Sequence, residues 1–543
     1  MVRVGLAGGS RSGVQTFELI IGLLAVVVGL VWLSDRYRVP YPMVLMAGGL
    51  LLAVLPRTPN LELDPEIVLV VFLPPILFQA AQRTSLRDFR VNFGSISRLA
   101  VGLVILTAAV VAVVAHAAIP GIGWAAAFTL GAIVSPPDAV AATAIFQRLG
   151  APRRIVSILE GESLINDASA IVLYTFAVAA VVTGRFSMGD ALLEFVVVVV
   201  VGVLVGGLVG RVAGRLIMIL DDSSLVTLTT LIIPAATYVL AEQLGGSGVL
   251  AVVAAGLVHG YTQSFTMTPA TRLRSNTVWD LMTVAVNGFV FLLIGFELGA
   301  LRDTLSRHRI WELTWHALVI FATIVAVRFA YVYAGRRAPD RRNRGEWTVQ
   351  FEMRETFLIA WSGLRGVVSL ATALALPLLT DAGTPFDHRD EIILISAAVI
   401  VLSMYGLGLP LPAIVRRLNF AEDTSVAAER RLAHRVMREA MFERMKQRAQ
   451  ASPEYETVYG PMIAEMEKRS AEQQETASAD GPFDDPDLAG KPHPSLDFMQ
   501  DAIDTAREAL FALRREGQIS DDVRREVEQS LDLQAMQFAL RDA

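Results

Sequence analysis

Glu160-Gly161-Glu162-Ser163-Leu164-Ile165-Asn166-Asp167-Ala168-Ser169 lies inside a long apolar stretch, and Ser135-Pro136-Pro137-Asp138 lies in the apolar stretch before it. A carboxylate at membrane depth costs roughly 2.5–3.5 kcal/mol on insertion scales and more in simulations. A chain keeps such groups where they bind a cation, relay a proton or pair with a buried base. The pattern points to transport of small cations.

Outward from these residues, the composition agrees. Hydrophobic residues make up 53% of 543 positions, and mean hydropathy is +0.50. The apolar residues fall in blocks near the ~20 residues that a bilayer-spanning helix needs. The fold class expected is an all-α polytopic membrane protein; barrel strands would be shorter and alternating. A net charge of -6 argues against a nucleic-acid partner, and the lack of cysteine excludes disulfides and thiolate metal sites. No cofactor is called for. The apolar stretch beginning near Phe17 reads as a retained first helix, because no small-residue cleavage site follows it, with a signal peptide as the alternative.

Thirteen spans are predicted: 15–34, 39–56, 65–82, 97–118, 122–148, 153–182, 190–217, 223–243, 246–263, 279–300, 311–335, 352–379 and 390–415. Alternate loops carry 18 arginines on one side against 8 on the other, N-terminus included. By the positive-inside rule the N-terminus is outside and the C-terminal region cytoplasmic, as an odd helix count requires. Lysine is absent before Lys446, so every basic group in the spans is arginine, which keeps its proton at working pH. A transported proton therefore rides on a carboxylate, or less readily on a histidine. Residues 1–415 form the expected transmembrane domain. Residues 416–543 form a polar tail with helices at 424–449 and 495–541, joined by a flexible linker near 470–494. That tail reads as a solvated stalk or assembly segment, with regulation of transport as the alternative.

Two spans carry helix breakers. Pro136-Pro137 removes two amide donors from the fifth, and Gly363-Leu364-Arg365-Gly366 interrupts the twelfth. Irregular backbone at this depth survives where protein or a water-filled cavity satisfies it. Paired interruptions point to a central transport site, and their spacing of seven spans suits an inverted repeat of spans two to six on nine to thirteen. In the sixth span Ser163 and Asp167 are i, i+4 and share one face, as do Glu162 and Asn166. Asp167, Ser163 and Asp138, with carbonyls around Pro137, offer an oxygen-only ligand set that suits an alkali cation. Competition between cation and proton for Asp167 suffices for exchange. Glu162 needs a buried partner; Arg328 and Arg365 are the candidates, Arg328 preferred, as a structural ion pair.

Together Phe72-Leu73-Pro74-Pro75-Ile76-Leu77-Phe78, Ser135–Ala141, Glu160–Asp167 and Gly363–Val368 resemble the monovalent cation/proton antiporters that include the bacterial NhaP-type and animal sodium/proton exchangers. The resemblance covers about 15–415, and Leu513–Ser520 and Leu531–Leu533 resemble the end of the bacterial branch. It implies thirteen helices with two crossed broken helices and a six-helix core moving against a homodimer interface. By the same match Asp167 binds the ion or proton, Asn166 stabilises the crossing, and Asp138 and Ser163 line the site. It also implies electroneutral exchange, one cation per proton. Gln79 departs from the pattern: some relatives carry an acidic residue there, so it stands as a possible additional site residue without charge. The function expected is secondary sodium/proton antiport in a bacterial inner membrane, serving pH homeostasis. Alternatives are potassium- or lithium-preferring exchange, or a cation channel or membrane sensor. The chain carries no P-loop and does not read as an enzyme.

Overall fold

The computed structural model describes residues 11–37, 39–54, 68–84, 92–138, 142–143, 145–146, 149–184, 188–300, 307–336, 352–420, 424–451, 456–457, 460–461, 463–464 and 496–542. Among these residues there is one isolated bridge, Leu379 to Pro385, and no strand; the protein is all-α. The expected linker at 470–494 lies outside the described residues.

The chain opens with α1 (Arg11–Tyr37), α2 (Tyr41–Val54) and α3, a π turn Val68–Phe72 continued by Leu73–Arg83. α4 runs from Phe93–Ser97 through a π turn, Arg98–Leu103, into Val104–Ala118. α5 (Trp124–Val134) stops at the Ser135–Asp138 break, whereas α6 (Arg153–Thr183) is continuous. α7 (Met188–Ile219), α8 (Ser223–Gln243), α9 (Gly248–Thr266), α10 (Pro269–Ala300) and α11 (Arg307–Arg336) follow. α12 (Met353–Trp361) and α13 (Val367–Leu374) are half-helices on either side of Ser362–Gly366. α14 joins Arg389–Ser403, a π turn Met404–Gly408 and Leu411–Leu418. The tail supplies α15 (Thr424–Ala451), α16 (Leu496–Glu516) and α17 (Asp521–Asp542).

Local chemistry explains several boundaries. Pro74 and Pro75 stand in the turn directly after the π segment Val68–Phe72, where their missing amides interrupt the α-helical ladder and the helix changes register. Asp222 starts α8 by accepting from the amides of Ser224 and Leu225 at 2.7 and 2.9 Å. Glu352 and Glu355 form a reciprocal capping box at the start of α12. The tail stretch expected as one helix over 495–541 is two. Gly517 sits at φ +81°, Gln518 N–H closes back on Leu513 O at 2.9 Å, and Ser520 caps α17.

Seven helices among the described residues are long and apolar enough to cross a bilayer, and the stretches Tyr41–Leu52, Trp124–Val134 and Gly248–Gln263 are shorter apolar helices. Leu204, Leu208 and Val212 on α7 and Leu228 and Ile232 on α8 are exposed, a surface suited to hydrocarbon and not to water. Inside, one apolar cluster gathers α4, α5, α6, α13 and α14, and a second gathers α3, α7, α8 and α9. Small residues let the second cluster close. A Cβ at Gly206 would run into the backbone of Ala251, and one at Gly260 into that of Gln82.

The tail is not a free solvated stalk. Met441, Ile503 and Val527, one from each of its helices, are buried in a core of its own. That core in turn docks on the membrane part. Phe511 stacks on Phe265 with ring centroids 4.4 Å apart, and Arg514 lies over the Tyr261 ring. Arg272 at the start of α10 is gripped by Asp532 at 2.5–2.9 Å, and Arg153 at the start of α6 reaches Asp522 at 2.9 Å.

Candidate functional site: a crossed-helix cavity

The two breaks meet. The Asp138 amide, freed by the end of α5, donates to Leu364 O in the other break at 2.7 Å. Arg365 is 2% exposed and ties both breaks together. Its Nε donates to Val134 O at 2.7 Å, its Nη1 to Gly363 O at 3.0 Å, and its backbone amide to Ser403 Oγ at 3.0 Å. A half-helix ends in carbonyls with no partner in the helix, and a buried guanidinium with five fixed donors is suited to satisfying them. Asn166 serves the same end from α6, donating Nδ2 to Pro137 O at 2.7 Å.

The 3.6-residue turn sorts the Glu160–Ser169 run onto different faces. Ser163 and Asp167 are half-buried and line a cavity of about 890 Å³, with Pro136 and Asp138 opposite. Glu162 and Asn166 point away from it and are 1% and 0% exposed. Glu162 forms a bidentate pair with Arg328 at 2.6 and 3.0 Å, and Arg328 also donates to Ile359 O. Arg365 makes no such pair with Glu162; its guanidinium is spent on carbonyls. Gly366 is needed where it stands, because a Cβ there would overlap the Asp138 carboxylate.

The structure therefore brings Asp167, Ser163 and Asp138 to one cavity and keeps Glu162, Arg328, Arg365 and Asn166 behind it. Of the carbonyls expected to help bind the cation, Pro137 O is already engaged by Asn166, and the neighbouring Val134 O accepts from Arg365. Gln79 lies farther along the same cavity, 6% exposed. Its Nε2 donates to Asp280 Oδ1 at 3.3 Å, and its Oε1 accepts from Thr283.

Residues that the sequence analysis did not single out complete the lining. Asn276, Asp280, Thr283 and Asn287 on α10 all face the cavity, and Tyr41 from α2 meets Asn287 at 3.4 Å. Their spacing of four, three and four is one helical face, a polar stripe in an apolar helix that the sequence does display. At the tail-side mouth the lining includes Arg272 and residues of α17, among them Glu528 and Asp532. Among the described residues no cluster of three or more His, Asp or Glu could hold a resident metal ion.

Comparison with known proteins agrees with this geometry. Residues 22–417 match the family model of the transmembrane sodium/hydrogen exchangers. The chain is 34% identical over 527 residues to an uncharacterized Na+/H+ exchanger of Mycobacterium tuberculosis, covering 96% of each chain. It is 32% identical over 410 residues to a sodium, potassium, lithium and rubidium/H+ antiporter of Bacillus subtilis, 73% of this chain and 61% of that one. Its fold matches the sodium proton antiporter of Methanocaldococcus jannaschii at TM-score 0.58 and 17% identity, covering 75% of this chain and 99% of the other. By fold and by sequence, this chain belongs to the sodium/hydrogen exchanger family of monovalent cation/proton antiporters.

Proposed function

We propose that this protein is a secondary active sodium/proton antiporter in which cation and proton compete for Asp167. The observation that carries the reading is the convergence of Asp167, Ser163 and Asp138 on one cavity beside two interrupted helices. Asp167 takes the proton or the cation, while Ser163 and Asp138 add oxygen ligands. Asn166, through Pro137, and the Glu162–Arg328 pair with Arg365 hold the crossing that presents them. One exchangeable carboxylate gives one proton per cation, hence electroneutral exchange. Alternating access follows if the cluster containing α4–α6 and α12–α14 moves against the rest. Thirteen crossings, related by an inverted repeat and divided at about 415 from the tail, complete the architecture. Homodimerisation, an inner-membrane location and a cytoplasmic tail belong to the same proposal. It is a transporter's site, not an enzyme's.

A broader cation range is the second reading. It is favoured by the neutral Gln79 in the cavity and by the Bacillus relative, a sodium, potassium, lithium and rubidium/H+ antiporter.

The test is proton flux from acid-loaded sealed vesicles on adding sodium, potassium or lithium, for the wild type and Asp167→Asn. Ion-triggered proton exit that vanishes in the variant is the expected result, and the ion order ranks the two readings. Undiminished exchange by Asp167→Asn would overturn the mechanism. Current that persists without a counter-ion gradient would make the protein a channel.

A further inference from the structure

We propose that Asp280 is the carboxylate that recruits the cation from the tail side, and that Arg83 is its tethered competitor. The inference rests on the antiport reading above and adds a residue to it. Asp280 lies on α10, two turns inward from Arg272, on the cavity-lining stripe Asn276, Asp280, Thr283, Asn287. At 1.5 Å per residue that stripe extends roughly 16 Å along the helix. It runs from the mouth beside the tail helices to Tyr41, in the same cavity as Asp138 and Asp167.

Three features set Asp280 apart from a structural carboxylate. Its side chain is 58% exposed, so it is hydrated and within reach of an incoming ion. Its position is nevertheless defined: Gln79 Nε2 donates to its Oδ1, Gln79 Oε1 accepts from Thr283 one turn on, and Arg83 pairs with it. And the Arg83 partner is equally exposed, at 58%, so the pair is the kind that contributes little to stability. An exposed guanidinium on an exposed carboxylate can be displaced by a small cation at modest cost. The charge that Gln79 lacks is thus supplied by its hydrogen-bonded neighbour on another helix.

A carboxylate lining the route to a buried site raises the local cation concentration without taking part in the chemistry deeper in. Its loss acts on apparent affinity and leaves the saturated rate alone. Arg83, holding the same carboxylate, acts in the opposite sense.

The experiment measures apparent KM and maximal rate in vesicles whose tail faces the medium. It uses whichever of sodium, potassium and lithium the wild type exchanges. Asp280→Asn is expected to raise KM roughly threefold to tenfold, the range for one nearby charge partly screened by water. Its maximal rate stays within about twofold of wild type. Asp280→Glu restores the wild-type KM, and Arg83→Gln lowers KM. If the pair were instead a structural brace, Asp280→Asn and Arg83→Gln would shift KM in the same direction or lower the maximal rate together. Either result overturns the proposal, as does an unchanged KM in Asp280→Asn. Absence of exchange by the wild type would overturn the antiport reading and this one with it. Wild-type exchange with an indifferent Asp280 overturns this one alone.

Discussion

The backbone amide of Asp138 donates to the carbonyl of Leu364, 2.7 Å away, so the carboxylate at one helix break is positioned directly by the backbone of the other. Neither half-helix could hold its own break. Each leaves unpaired polar groups that would be costly at this depth, and each is satisfied by the crossing. The Asp138 carboxylate is therefore as well placed as the crossing is rigid.

Gly366 is the tightest point of that arrangement. Its backbone is extended, so conformation alone would accept another residue, but a Cβ would overlap the Asp138 carboxyl group. Gly366→Ala is expected to displace Asp138 and reduce exchange by roughly tenfold or more, in line with the sensitivity of positioned groups to displacements near 1 Å. Vesicle flux measures this, with monodispersity in detergent confirming that the variant still folds.

Breaking the Glu162–Arg328 pair by one partner leaves a charge buried at 3% exposure or less. Glu162→Gln or Arg328→Met should each destabilise the protein by about 3–5 kcal/mol. The double variant Glu162→Met/Arg328→Met should be less damaging than either, because no lone charge remains. Thermal unfolding in detergent would show the order, and a double variant as unstable as the sum of the singles would refute it.

Arg272 is almost fully buried by Asp532 and Glu528 of the tail. Arg272→Ala is expected to release α17 from the cavity mouth. Limited proteolysis should then cut within 496–542 several times faster than in the wild type, following the population of the undocked state. Unaltered protection would mean that the Phe265–Phe511 and Arg514–Tyr261 contacts suffice.

His434 on α15 makes the tail's cohesion depend on pH. Burial pushes its pKa below the usual histidine value, and the neighbouring Arg438 and Arg430 push the same way against Glu526. The folded tail therefore binds fewer protons than the unfolded tail as pH falls below about 6.5. Cohesion is complete above that value and declines from there through the depressed folded pKa. Protection factors of α15, measured relative to the intrinsic exchange rate at each pH, should fall on acidification from pH 7 to pH 5, and His434→Gln should flatten the dependence.

Much of the site was legible in the chain because helical geometry is local. The i, i+4 spacing put Ser163 with Asp167 on one face, and Pro136-Pro137 and Gly363–Gly366 marked the interruptions. The polar stripe on α10 is equally local, but its polar residues lower the hydropathy before about 279, so hydropathy alone places Asn276 outside the predicted span and Asp280 at its edge. The tail's docking is not readable: a charged amphipathic helix has the same pattern whether it faces water or grips arginines such as Arg272 and Arg153.

By itself the sequence determined an all-helical membrane chain, its interrupted spans and which polar side chains share a helical face, since hydrophobicity, proline chemistry and a 3.6-residue period act within a few residues. Only the tertiary structure decided that Glu162 takes Arg328 while Arg365 serves the carbonyls of the breaks. It alone seated α17 at the cavity mouth and laid Asp280 beside Gln79. Those choices depend on distances between groups 166 to 260 positions apart along the chain. No local preference encodes such distances; they follow from which helix faces can close together while pairing most of the polar groups they bury.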